Sequence, residues 1–119
     1  MESNGVDRKV ELAFLAAFYG GLLTEKQRLV LSLWCEEDLS LAEIAAEAGI
    51  SRQGVHETLT RASDRLTEME SKLGMAARFS RMEKGLAECL EQLENGKYED
   101  AAQTVRLLMR LDQEDHDGI

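Results

Sequence analysis

The 119-residue sequence contains no proline, only 5% aromatic residues and two cysteines. Without proline, nothing in the chain locks a kink into a helix, so helical segments can run until glycine ends them. Few aromatics and no run of alternating apolar and polar residues leave little from which strands could be built. Cys35 and Cys89 are too far apart for the close spacing of a zinc site or redox pair, and both read as reduced core thiols of a cytoplasmic protein. Long apolar runs are missing as well. Leu12 to Leu23, the longest near the N-terminus, follows Asp7 and Glu11 and is too short to span a bilayer. It also lacks the positive flank and small-residue cleavage site of a signal peptide. Positive charge is scarce too: 14 Lys and Arg stand against 23 Asp and Glu, a formal net charge of -9 with a pI near 4.7. A protein built to grip phosphates usually carries a basic surface, so this balance weighs against simple nucleic-acid binding.

With 44% apolar and 31% charged residues, the composition is that of an ordinary globular chain. Glycine supplies the stops, at Gly20-Gly21, Gly49, Gly74 and Gly96. A first helix is predicted from about Asp7 to Tyr19, mostly buried, with Val10, Phe14, Ala17 and Phe18 on one face and Leu12, Leu15 and Tyr19 widening it. Thr24 with Gln27 forms a capping box for a second helix, whose apolar side carries Leu29, Leu33 and Trp34. Ser40 with Glu43 forms another, for a short helix facing inward with Leu41, Ile44, Ala45 and Ala48. Ser51 then caps a long helix on which Val55, Leu59, Ala62, Leu66, Met69 and Leu73 recur as a heptad stripe. Helical spacing resumes with Phe79, Met82, Leu86, Cys89 and Leu93, and after Asn95-Gly96 with Tyr98, Ala101, Ala102, Val105, Leu108 and Leu111. The fold class expected is all-α: a helix-turn-helix domain over residues 1–74, followed over residues 75–119 by a C-terminal helical hairpin with an acidic tail. The tail, Asp112 to Asp117, is expected to be frayed.

The stretch SLAEIAAEAGISRQGVHETL, from Ser40 to Leu59, meets the physical requirements of a helix-turn-helix. Ala45 and Ala46 allow two helices to cross closely, Gly49 can take the left-handed conformation in the turn, and Ile50 and Val55 close the small core. If the second helix of the motif entered a major groove, Arg52, Gln53, His56 and Thr60 would meet the bases, with Arg61 and Arg65 near phosphates. Gly54 offers no side chain, and Glu57 would aim a carboxylate at a polyanion. Between residues 40 and 75, Arg52, Arg61, Arg65 and Lys72 are outnumbered by Glu43, Glu47, Glu57, Asp64, Glu68 and Glu70, so DNA binding by one chain should be weak.

The run from Phe18 to Ala62, FYGGLLTEKQRLVLSLWCEEDLSLAEIAAEAGISRQGVHETLTRA, closely resembles the YlxM family of small bacterial helix-turn-helix proteins. The likeness continues to Lys72-Leu73-Gly74, and its most specific pieces are FYG, the spaced LLT and KQ, EEDLSL and GISRQ. It implies a motif like the fourth region of sigma factors, and a regulatory or accessory role in the signal recognition particle pathway of protein targeting. The partner implied is the particle's protein or its RNA. Where promoter-reading sigma factors tend to be basic or polar, this chain has Gly54, His56 and Glu57. A DNA-binding transcriptional regulator is the alternative.

The segment GLAECLEQLENGKYEDAAQTVRLLMRL, from Gly85 to Leu111, looks like a single tetratricopeptide-style hairpin, which cannot bury its own face and must pack either on the domain or, as a homodimer, on a second chain. Catalysis finds no support in the sequence: no Ser or Cys has a base and an orienting acid in a suitable pattern, and no glycine-rich loop follows a strand. No enzyme activity, cofactor or metal is expected, because the carboxylates are spread at helix-surface spacings.

Overall fold

The computed structural model of the chain describes the backbone of residues 5–117 and the side chains of residues 7–114. Among the described residues there are no strands. The elements are α1 (Gly5–Tyr19), a short 3-10 turn (Gly20–Leu22), α2 (Glu25–Cys35), α3 (Leu41–Ala48), α4 (Arg52–Leu73), α5 (Met75–Glu94) and α6 (Tyr98–Asp117). They cluster into two compact units, one ending at Gly74 and the other starting at Met75.

Helix starts in the first unit follow from single residues. The Thr24 hydroxyl accepts from Gln27 N at 3.1 Å while the Gln27 side chain accepts from Thr24 N at 3.0 Å. Ser40 and Glu43 repeat that reciprocal pair, and Ser51 Oγ accepts from Gly54 N at 2.9 Å to open α4. Left-handed glycines end α3 and α4, at Gly49 and Gly74. Gly49 stands at φ +70°, where a side chain would strain the backbone, and Ile50 N donates back to Ala45 O at 3.1 Å. Ala45 O thus accepts from both Gly49 N at 2.9 Å and Ile50 N, and this closure turns the chain into α4.

α1, α2 and α3 all pack on α4. At the centre of the motif Val30, Ile44 and Val55 are fully buried, and Leu33, Trp34, Leu41, Ala45, Ile50 and Leu59 pack around them. Leu12, Leu15, Tyr19, Leu31 and Leu66 extend the apolar interior. Polar bonds between distant segments fix the register: Tyr19 Oη donates to Glu70 Oε1 at 2.6 Å, the Arg8 guanidinium donates to Ser63 Oγ, and Lys9 pairs with Asp38 while lying 5.1 Å from the Trp34 ring centroid.

Several helices bury a different side from the one their apolar spacing suggests. In α1, Leu12, Leu15 and Tyr19 are buried, whereas Val10 is 65% exposed. In α2 it is Val30 and Leu31 that are buried, and Leu29 faces out. Ala46 is exposed, leaving Ala45 to line the crossing of α3. Each of these helices is apolar over more than half its circumference, so periodicity alone permits two adjacent stripes, and the packing partner selects one.

The second unit is an antiparallel pair, α5 against α6. Lys97 N to Gln92 O at 2.8 Å and Gly96 N to Leu93 O at 3.1 Å make the turn, with Gly96 at φ +73°. The two helices are in tight contact at Gly85, where an added Cβ would sit 2.8 Å from Leu108 Cγ. The Cys89 thiol lies 3.7 Å from Ala101 O, and Arg78 pairs with Asp112 at 2.5 Å. The backbone from Asp112 to Asp117, expected from its charge to fray, instead continues α6.

Candidate nucleic-acid interface

All six residues proposed from sequence to face nucleic acid, Arg52, Gln53, His56, Thr60, Arg61 and Arg65, are exposed on α4. The reason is simple. Val55, Thr58, Ala62 and Leu66 take the buried side of the helix, and at about 100° per residue the others must point away from it. Thr58 is the polar member of the buried side, and its hydroxyl donates to Gly54 O at 2.8 Å, so no polar atom there is left unpaired.

The exposed side is not uniform. Arg52 and His56 lie along the edge next to Leu59; Gln53 and Thr60 lie at the crest; Arg61 and Arg65 lie along the opposite edge, about half a turn from Arg52. Two carboxylates share the crest. Glu57 sits one turn after Gln53, whose side-chain amide lies 3.5 Å from Glu57 Oε1, and Asp64 sits one turn after Thr60. Glu68 follows on the next turn, where Lys72 holds it at 2.9 Å and keeps its carboxyl below the usual glutamate range. Arg52, Gln53, His56 and Thr60 are therefore gathered at the head of α4, while Arg61 and Arg65 stand apart from them.

Beside His56 and Thr60 lies a groove of about 340 Å³, with Leu12, Trp34, Leu41 and Leu59 among its lining residues and Asp64 at its rim. Arg8 reaches the same groove from α1, held by Ser63 and by Glu11 at 3.0 Å. Sequence reasoning had no means of placing Arg8 and Trp34 there, because nothing in local spacing connects α1 or α2 to the outer side of α4. Chemically, Arg52 can present two donors to a guanine edge and Gln53 a donor and an acceptor to adenine. Glu57 and Asp64 present acceptors only, and would stand against phosphate.

Among the described residues no three His, Cys, Asp or Glu side chains converge as a metal site would require. No helix among them is long and apolar enough to cross a membrane.

Residues 6–107 match the UPF0122 family, described as YlxM / p13 like helix-turn-helix proteins. The match runs well past Gly74, the point at which the likeness legible in the sequence stopped, and takes in α5 and half of α6. A UPF0122 protein of Desulforamulus reducens is 44% identical over 84 residues, covering 71% of this chain and 72% of its own length. One from Clostridium botulinum is 42% identical over 88 residues, 74% of this chain and 81% of its own. A third, from Halalkalibacterium halodurans, is 38% identical over 109 residues, 90% of this chain and 96% of its own. The chain, with its helix-turn-helix built on α3 and α4, belongs to the UPF0122 family of YlxM / p13 like helix-turn-helix proteins.

Proposed function

We propose that this protein is a non-catalytic regulatory or accessory component of the signal recognition particle pathway, working in the cytoplasm and acting through its helix-turn-helix domain. The direct partner in this reading is a basic protein surface of the particle. One observation carries the choice: Glu57 and Asp64 occupy the crest of α4, the line along which a groove-reading helix meets DNA. Carboxylates at those positions repel phosphate and attract Lys and Arg, and the chain's net charge of -9 extends the same preference to longer range. The particle as target rests on the resemblance of the Phe18 to Ala62 run to the YlxM family.

The test is a titration of the full chain, at physiological salt, against the purified particle protein, the particle RNA and duplex DNA separately. Binding to the protein that weakens on Glu57→Lys and on Asp64→Lys supports the reading. No binding to the protein overturns it, and binding to RNA alone overturns the choice of surface.

A second reading, a DNA-binding regulator, is favoured by Arg52, Gln53 and His56 standing together and exposed at the head of α4. It requires Arg52→Ala to weaken DNA binding by roughly 1–3 kcal/mol at the cognate base. An affinity indifferent to that change removes it.

A further inference from the structure

The second unit carries large apolar side chains that its own two helices do not cover. Leu86 and Leu90 on α5 are each 58% exposed, and Leu93, Tyr98, Val105 and Met109 are also exposed. Their positions are not scattered. On α5, Leu86, Leu90 and Leu93 lie about a quarter turn from the side bearing Gly85 and Cys89, which packs on α6. On α6, Tyr98, Val105 and Met109 lie about a quarter turn from Ala101 and Leu108, which pack on α5. Because the helices are antiparallel and both right-handed, these two rotations point the same way. The hairpin thus has one broad apolar face, and its other face holds Glu88, Gln92, Asp100, Gln103 and Thr104 with Leu107 as its exposed apolar residue, while Arg106 and Arg110 reach it from the outer edge of α6. A contiguous exposed apolar face of this kind marks an interaction surface.

Charges at its margins favour one occupant. The contacts Gly85 with Leu108, Cys89 with Ala101 and Arg78 with Asp112 set the register between the helices, and they put Glu83 level with Met109. Glu83 stands on the outer margin of α5, and Arg106 and Arg110, on either side of that level, stand on the outer margin of α6. One long edge of the face is therefore acidic at its centre and the opposite edge basic. Near the turn the margins carry Glu94 and Glu99, so the attraction is concentrated at Glu83 with Arg106 and Arg110.

We propose that the apolar face of the α5–α6 hairpin binds the same face of a second copy of this chain, forming a two-fold four-helix bundle in which α5 of each copy lies on α6 of the other. A two-fold axis parallel to the helices brings each Glu83 against Arg106 and Arg110 of the other copy, twice by symmetry. The other closed arrangement, with the axis across the helices, puts α5 on α5 and α6 on α6, opposing like charges at both margins. In the proposed packing α5 of one copy runs antiparallel to α6 of the other, the up-down geometry of short-loop bundles. This assignment rests on the second unit alone and stands whatever α4 binds.

Sedimentation equilibrium of the full chain across a concentration series decides it, with circular dichroism confirming helix content for every variant. The wild-type chain is expected to be a dimer. Glu83→Lys alone, or Arg106→Glu with Arg110→Glu, should each weaken association by at least about tenfold. The triple exchange carrying all three should restore it, because the attraction is rebuilt with its signs reversed. Leu90→Glu should give a monomer; if that variant loses helix content, the margin variants, whose side chains are exposed, decide alone. A wild-type chain monomeric at roughly 100 μM overturns the proposal, since a specific interface is tighter than that. So does a dimer indifferent to all the margin exchanges, which would be held by some other surface or by the α5-on-α5 arrangement.

Discussion

At the scale of the residue, two glycines do work that no other side chain can do in place. Gly49 has open space around it, with no heavy atom within 4 Å of an added Cβ, so a substitution there meets only its φ of +70°. Gly49→Ala is expected to destabilise the first unit by about 1–2 kcal/mol, the left-handed penalty for an L-residue, read as a lowered midpoint in denaturant with unchanged slope. Gly85 is the opposite case: its backbone is relaxed but Leu108 fills the space beside it. Gly85→Ala should therefore cost the hairpin about 1–3 kcal/mol through overpacking, and shortening Leu108 in the same chain should recover part of the loss. Glu43 illustrates a titrating residue whose role is local. Its carboxylate accepts from Ser40 N and is drawn below the ordinary value of 4.5 by that backbone bond first and by the Ser40 hydroxyl second. A lowered folded value means that its contribution is present above pH 4.5 and disappears as pH falls through the lowered value. NMR titration of the Glu43 carboxyl should give a midpoint below that of an unstructured glutamate, and Ser40→Ala should return it upward.

At the scale of the element, α4 joins three roles in one helix. Its start is held by Ser51, and Ser51→Ala is expected to cost about 1 kcal/mol and to raise hydrogen exchange at Gly54 before the rest of the helix. Its buried side carries Val55, Ala62 and Leu66, with Ile44 of α3 fully enclosed against it. Ile44→Ala leaves a cavity where three helices meet, and a loss of about 2–5 kcal/mol is expected in chemical denaturation. The helix's exposed side alternates basic and acidic residues, so a binding partner must tolerate both signs at short range. Capping boxes and glycine stops were legible in the sequence because each is written within one turn of helix, at Thr24 with Gln27, at Ser40 with Glu43 and at Gly49. The buried stripes of α1 and α2 were not. Val10 and Leu12 satisfy helical spacing equally, and only the surface against which α1 packs distinguishes them.

At the scale of the whole molecule, the charge of -9 is spread over the entire chain, with acidic residues in the majority before Ser40, in the motif and after Gly74. Binding to a basic protein partner should therefore weaken steadily as salt rises and fastest below about 0.15 M, where the screening length still exceeds roughly 8 Å. Association rates measured by stopped flow would show it, and a rate independent of salt would mean that the field takes no part in recognition. Sequence by itself determined the all-α class, the helix-turn-helix between Ser40 and Leu59, the capped starts of α2, α3 and α4 and the glycine stops of α3 and α4, because propensity, capping and left-handed glycine act over a few neighbouring residues. Tertiary structure alone decided which stripe of α1 and α2 is inside, that Arg8 and Trp34 share a groove with His56, and that six apolar side chains of α5 and α6 face out together. Those outcomes depend on contacts between residues dozens of positions apart, such as Arg8 with Ser63 and Tyr19 with Glu70. Spacing along a chain carries no record of which distant surface a helix will meet.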